Sequence, residues 1–191
     1  MSRIYVLNAP RLAVAAGRMK TDVNFLGATD KLTVKWMEDN HVFILENWYD
    51  GKITEKRLQR LYHRIFPGDF LLMDFSLSKP FLVKALSYVK ELEAKTVLYT
   101  ASGLLVEPEI CTMTDFLVDG GAHIIGKPAN IIRFGTGEFA ESSIGALMLC
   151  MMNGLSIKKA EVFFKKAARH PQLPWYDEIA YTGGWEANAG A

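Results

Sequence analysis

Short apolar runs of strand length alternate with amphipathic stretches of helix length, and this alternation constrains the fold more than any other feature of the chain. The runs are RIYVLNA (3–9), HVFILENW (41–48), DFLLMDF (69–75), TVLYTAS (96–102) and AHIIG (122–126). DFLLMDF is apolar on both sides, the pattern of a strand whose sheet is covered by helices on both faces. TDKLTVKWMEDN (29–40) is expected to turn Leu32 and Trp36, with Val34, inward at near-helical spacing behind a Thr29 or Asp30 cap. ITEKRLQRLYHRIF (53–66) gathers Ile53, Leu58, Leu61, Tyr62 and Ile65 into one stripe, with Thr54 as its cap. KPFLVKALSYVKELEA (79–94) carries Pro80 in its first turn, and EPEICTMTDFLVDGG (107–121) reads as a helix closed by Gly120-Gly121. The order predicts an α/β protein with a doubly wound, mainly parallel five-stranded sheet. Residues 10–28, with Gly17 and Gly27, read as an irregular insertion.

The texture changes after Pro128. Two helices are expected near 138–153 and 156–169, followed by a tail bearing Trp175, Tyr176, Tyr181 and Trp185. The expected organisation is an α/β domain over 1–128 and a helical extension with its tail over 129–191. The 191 residues are 50% hydrophobic and 23% charged, ordinary for one globular domain with an appendage. A formal net charge of +1 favours neither a nucleic acid nor a membrane surface as bulk partner. The longest apolar stretch, IGALMLCMMNGL, is too short to span a bilayer, and no cleavable leader pattern is visible, so a cytoplasmic location is expected. Cys111 and Cys150 each lie in an apolar run and are expected as buried, reduced thiols.

In an open sheet of this type, ligands sit beyond the carboxyl ends of the strands. Asp74, Thr100 and Lys127 end three of the predicted strands. A carboxylate, a hydroxyl and an ammonium gathered on one edge can serve an anion, the lysine as a compact point charge. DFLLMDFSL, TVLYTAS and GAHIIGKP, in this order, resemble the third, fourth and fifth strands of response-regulator receiver domains, over roughly residues 41–128. The resemblance implies a receiver-like (flavodoxin-like) fold, Asp74 as phosphoacceptor, Thr100 as switch hydroxyl and Lys127 as phosphate contact, with a cis Lys127-Pro128 bond. The first strand ends LNAP, so Asn8 and Ala9 stand where receivers carry an acidic Mg²⁺-binding pair. A metal site would then need Asp74 with Glu46, or with Asp22 or Asp30, and Mg²⁺ binding is expected to be weak. Alternatively, Asp74 caps its own turn, Thr100 bonds local backbone and Lys127 pairs with Asp74.

Three functions follow as expectations. The first is an atypical receiver-like signalling protein that switches on anion, phosphoryl or partner binding, with self-association or another protein as partner and dimerisation through the C-terminal helices. The second is a DNA-binding transcription regulator. MLCMMNGLSIKKAE resembles the start of the output domain of receiver-linked regulators, and Lys158, Lys159, Lys165, Lys166 and Arg169 form a basic cluster. The third is a small nucleotide-binding α/β enzyme. RFGTGEF (133–139) places a Gly-x-Gly before a helix, where backbone N–H groups can cradle a phosphate, although it is neither a P-loop nor a full dinucleotide fingerprint. The four histidines share no ligand spacing, and no nucleophilic triad is legible.

Overall fold

The computed structural model describes residues 2–19, 22–133, 140–156, 158 and 159. Along them run β1 (Ile4–Leu7), α1 (Pro10–Gly17), β2 (Val23–Gly27), α2 (Lys31–Glu38), β3 (Val42–Asn47), α3 (Glu55–Tyr62), β4 (Phe70–Met73) and α4 (Lys79–Glu91). They are followed by β5 (Lys95–Thr100), β6 (Leu105–Val106), α5 (Pro108–Met113), β7 (Phe116–Asp119), β8 (His123–Ile124), β9 (Ile131–Arg133) and α6 (Ala140–Met152). Seven strands form one sheet in the order β3-β2-β1-β4-β5-β7-β9, and all its pairings are parallel. β6 and β8 pair in a separate parallel ribbon.

Alternation along the strands divides the core in two. Ile4 and Val6 of β1 face one layer, where Leu12 and Ala13 of α1, Met37 of α2, and Ile144 and Leu147 of α6 are packed. Tyr5 and Leu7 face the other, against Leu58 of α3, Leu82 and Leu86 of α4 and Ile110 of α5. Both faces are therefore covered, and β1 and β4 are buried at every position. Local signals agree for the central helices. Asp30 Oδ1 caps α2 by accepting from the Thr33 N–H, and Thr54 Oγ1 accepts from Arg57 N–H at the start of α3.

The structure departs from the five-stranded expectation at three places. Within 10–28, expected as an irregular insertion, Pro10–Gly17 form a regular helix and Val23–Gly27 a strand of the main sheet. α1 is buried from Leu12 to Gly17 because the sheet lies on one side and α6 on the other, so it shows no polar stripe to mark it. The stretch 107–121 is divided: α5 ends at Met113, Thr114 is extended, and Phe116–Asp119 enters the sheet as β7 beside β5. Asp115 locks that entry, accepting from both the backbone N–H and the hydroxyl of Thr96. Residues 122–126 are not the fifth strand of the main sheet. They contribute only β8, in the outlying ribbon. The boundary expected at 128/129 falls between β8 and β9; beyond it, β9 pairs with β7 and α6 packs on α1.

Candidate functional site at the carboxyl edge of the sheet

The strand order reverses between β1 and β4. From β1 the chain leaves through α1 on one face, and from β4 through α4 on the other. In doubly wound sheets, divergent connections of this kind mark the crevice beyond the carboxyl ends of the two strands as the position at which ligands bind. Asn8 sits there with φ 55°, in the left-handed region that asparagine tolerates better than most residues. Its Oδ1 accepts from the Ala28 N–H at 2.9 Å, and its Nδ2 donates to Ser76 Oγ at 3.2 Å. The Ser76 hydroxyl in turn donates to the Asn8 carbonyl at 2.9 Å. One side chain thus ties together the segments that follow β1, β2 and β4. In the sequence Asn8 registered only as a missing acid; an asparagine directly after an apolar strand and before Ala-Pro was the available signal.

Asp74 and Thr100 both lie at this edge, on neighbouring strands. Asp74 Oδ1 accepts from the Ser76 N–H at 2.8 Å and so closes the turn after β4. Thr100 is fully buried and donates its hydroxyl to the Val118 carbonyl on β7, so it does not present that hydroxyl to the crevice. Lys127 lies elsewhere: it is exposed, follows β8 of the ribbon, and stands on the segment that leads to the amino end of β9. Next to it, a Cβ on Gly126 would collide with Cys111 and Pro108 of α5. No ion pair joins Lys127 to Asp74 among the described residues, and the Lys127-Pro128 bond is not cis.

The metal candidates are likewise occupied or dispersed. Glu46, 10% exposed at its side chain, pairs with Arg60 at 3.0 Å and Arg64 at 3.5 Å, and accepts from Trp48 Nε1 at 3.1 Å. Asp22 pairs with Arg3 at the opposite, amino edge. The carboxyl of Asp30 is held below the usual carboxylate range by the Thr33 backbone N–H and then its hydroxyl, as befits a helix cap. No group of three His, Cys, Asp or Glu side chains able to hold a metal occurs among the described residues. Of the basic cluster, Lys158 and Lys159 are exposed, whereas Lys165, Lys166 and Arg169 lie outside the described residues.

The far side of the same edge carries two further charged residues. Asp119, at the end of β7, accepts through Oδ1 from the N–H groups of Gly121 and Ala122, both at 2.9 Å. Its Oδ2 lies 3.7 Å from Nε of Arg133, which ends β9 and is exposed. α6 begins at Ala140, seven positions after Arg133; residues 134–139 between them lie outside the described residues.

This architecture is that of a doubly wound α/β protein whose sheet follows the 3-2-1-4-5-6 order with one strand more, counting the strands of the main sheet in sequence. Among solved structures, the tetrameric inhibited form of phosphofructokinase-2 from Escherichia coli is similar over 94% of this chain and 100% of its own, at 10% identity and a TM-score of 0.65. Ribokinase from Arabidopsis thaliana, complexed with ribose and ATP, is similar over 88% of this chain and 92% of its own, at 10% identity and TM-score 0.61. Sa239 matches 62% of this chain at 15% identity and TM-score 0.50, and the chain spans 60% of its length. No family model matches the sequence, and no curated protein matches it. At these identities the likeness is one of fold, shared with phosphofructokinase-2 and ribokinase.

The receiver resemblance is overturned, and with it the response-regulator and transcription-regulator functions. Receivers order their five strands 2-1-3-4-5. Here the βα unit at 10–27 adds a strand, β7 takes the place expected of 122–126, and Lys127 is carried away from Asp74. No helix among the described residues is long and apolar enough to cross a membrane.

Proposed function

We propose that this chain is a small nucleotide-binding α/β enzyme of the phosphoryl-transfer class, acting as a kinase on a sugar or similar polyol with ATP as donor. The observation that carries the reading is the doubly wound fold around a seven-stranded parallel sheet, which is similar to the structures of phosphofructokinase-2 and ribokinase. The nucleotide phosphates belong at the β7–β9 end of the carboxyl edge. There the exposed guanidinium of Arg133 supplies charge. The acceptor belongs in the crevice between β1 and β4, beside Asn8, Asp74 and Ser76. Asp74 serves there as a positioning residue for the turn, not as an acceptor of phosphate. Mg²⁺ would enter with the nucleotide, held mainly by phosphate oxygens and water.

Isothermal titration of the full chain with a non-hydrolysable ATP analogue and Mg²⁺ tests the first half of this reading. One site per chain is expected, weakened about tenfold or more by Arg133→Ala, which removes a charge-assisted contact. A coupled assay of ADP release across a panel of sugars tests the second half. A folded chain that neither binds the analogue nor releases ADP with any sugar refutes the proposal.

A further inference from the structure

Asp119 and Arg133 are the last residues of β7 and β9, and they stand opposite each other in the register of that parallel pair. They differ in what they show to solvent. The Asp119 side chain is 13% exposed and the Arg133 side chain 73%, so the carboxylate is sheltered at the sheet while the guanidinium projects into water.

The carboxylate is fixed by backbone on one side. Asp119 Oδ1 accepts from the N–H groups of Gly121 and Ala122, both at 2.9 Å. Gly120 donates its N–H to the Thr100 carbonyl at 2.8 Å, and a Cβ on Gly120 would collide with that same oxygen. The turn is thus pressed against the end of β5. The other oxygen, Oδ2, faces Nε of Arg133 at 3.7 Å. Among the described residues, nothing bonds the two Nη groups of Arg133.

Such a carboxylate acts on an incoming phosphate in two opposed ways. Its charge repels the anion, and its contact with Nε orients the guanidinium that receives it. Orientation prevails in this arrangement. Two N–H groups already answer Oδ1, and a phosphate at the Nη groups has the guanidinium between itself and Asp119. Water around the exposed guanidinium screens what repulsion is left. A long side chain that is already directed loses less rotamer freedom when its ligand arrives.

We propose, on the reading that nucleotide phosphates meet Arg133, that Asp119 is the positioning residue for that contact. It holds the Nε side of the fork, so that the two Nη groups together face a phosphoryl group and bond two of its oxygens.

The test is a double-variant cycle read by isothermal titration of the full chain with a non-hydrolysable ATP analogue and Mg²⁺. Asp119→Asn keeps an oxygen for the Gly121 and Ala122 N–H groups, and urea midpoints verify that each variant folds; Asp119→Ser, which also keeps an acceptor, is the second choice. Asp119→Asn is expected to weaken the analogue about two- to tenfold, the range for ordering one long side chain. In an Arg133→Ala background the same change is expected to have no effect, because there is no longer a guanidinium to direct. Tighter binding by Asp119→Asn overturns the proposal, since repulsion then dominates. An equal loss in both backgrounds also overturns it, since Asp119 then acts on the turn alone. A folded wild-type chain that does not bind the analogue removes the nucleotide reading itself, and this role with it.

Discussion

Asn8 and Cys150 show how much can depend on one side chain. Asn8 holds a left-handed backbone and answers the Ala28 N–H, so Asn8→Ala removes an acceptor and strains the turn together. A loss of about 1–3 kcal/mol is expected from leaving such a donor unmatched, measurable as a lowered urea midpoint. Asn8→Asp, which keeps the acceptor, should recover much of it. Cys150 is buried in α6, and burial pushes its thiol up to about 12. In the unfolded chain the thiol ionises near its ordinary 9.0, so above that pH the unfolded state releases a proton that the folded state keeps. Stability owed to this group is complete below 9.0 and declines as pH rises toward about 12. The difference in unfolding midpoint between wild type and Cys150→Ala should therefore change across that window and be constant beneath it. A thiol reagent at pH 8 should leave Cys150 unmodified until the protein unfolds.

At the scale of elements, the crossing of α1 and α6 is the tightest contact between helices. A Cβ on Gly145 would collide with the carbonyl oxygen of Ala15, so these helices meet backbone to backbone. Gly145→Ala should force them apart and cost about 1–3 kcal/mol, even though alanine has the higher helix propensity. Thermal unfolding will separate the two effects: a raised midpoint would mean that the helices are not in close contact. The start of α2 makes a milder prediction. Asp30→Ala removes the acceptor for the Thr33 N–H and should lower the urea midpoint. Asp30→Asn should restore most of that, and should also remove the loss of stability that the wild type suffers as pH falls through the lowered carboxyl value.

For the whole molecule, the winding of the sheet brings residues from distant parts of the chain to a single edge. Asn8, Asp74, Asp119 and Arg133 are scattered over most of the chain, yet each follows or ends a parallel strand of the one sheet. If the edge binds nucleotide, a saturating ATP analogue should raise the thermal midpoint of the full chain by mass action, increasing with analogue concentration. Arg133→Ala should reduce this rise, because it removes the charge proposed to meet the phosphates.

The sequence by itself determined the α/β class, the parallel winding, the caps of α2 and α3 and the carboxyl edge as the place to look. These features rest on local chemistry: apolar runs of strand length, helical stripes, capping side chains and the direction of parallel strands. Only the tertiary structure decided the number and order of strands. α1 has no polar face because it is enclosed between the sheet and α6, and β7 follows α5 so closely that both read as one helix. Lys127 followed an apolar run like the other edge residues, but strand order is a property of pairing between distant segments, and pairing placed that run in a ribbon apart from the main sheet. A residue's identity shows what chemistry it can do; its neighbours across the sheet, which no local pattern specifies, decide where it can do it.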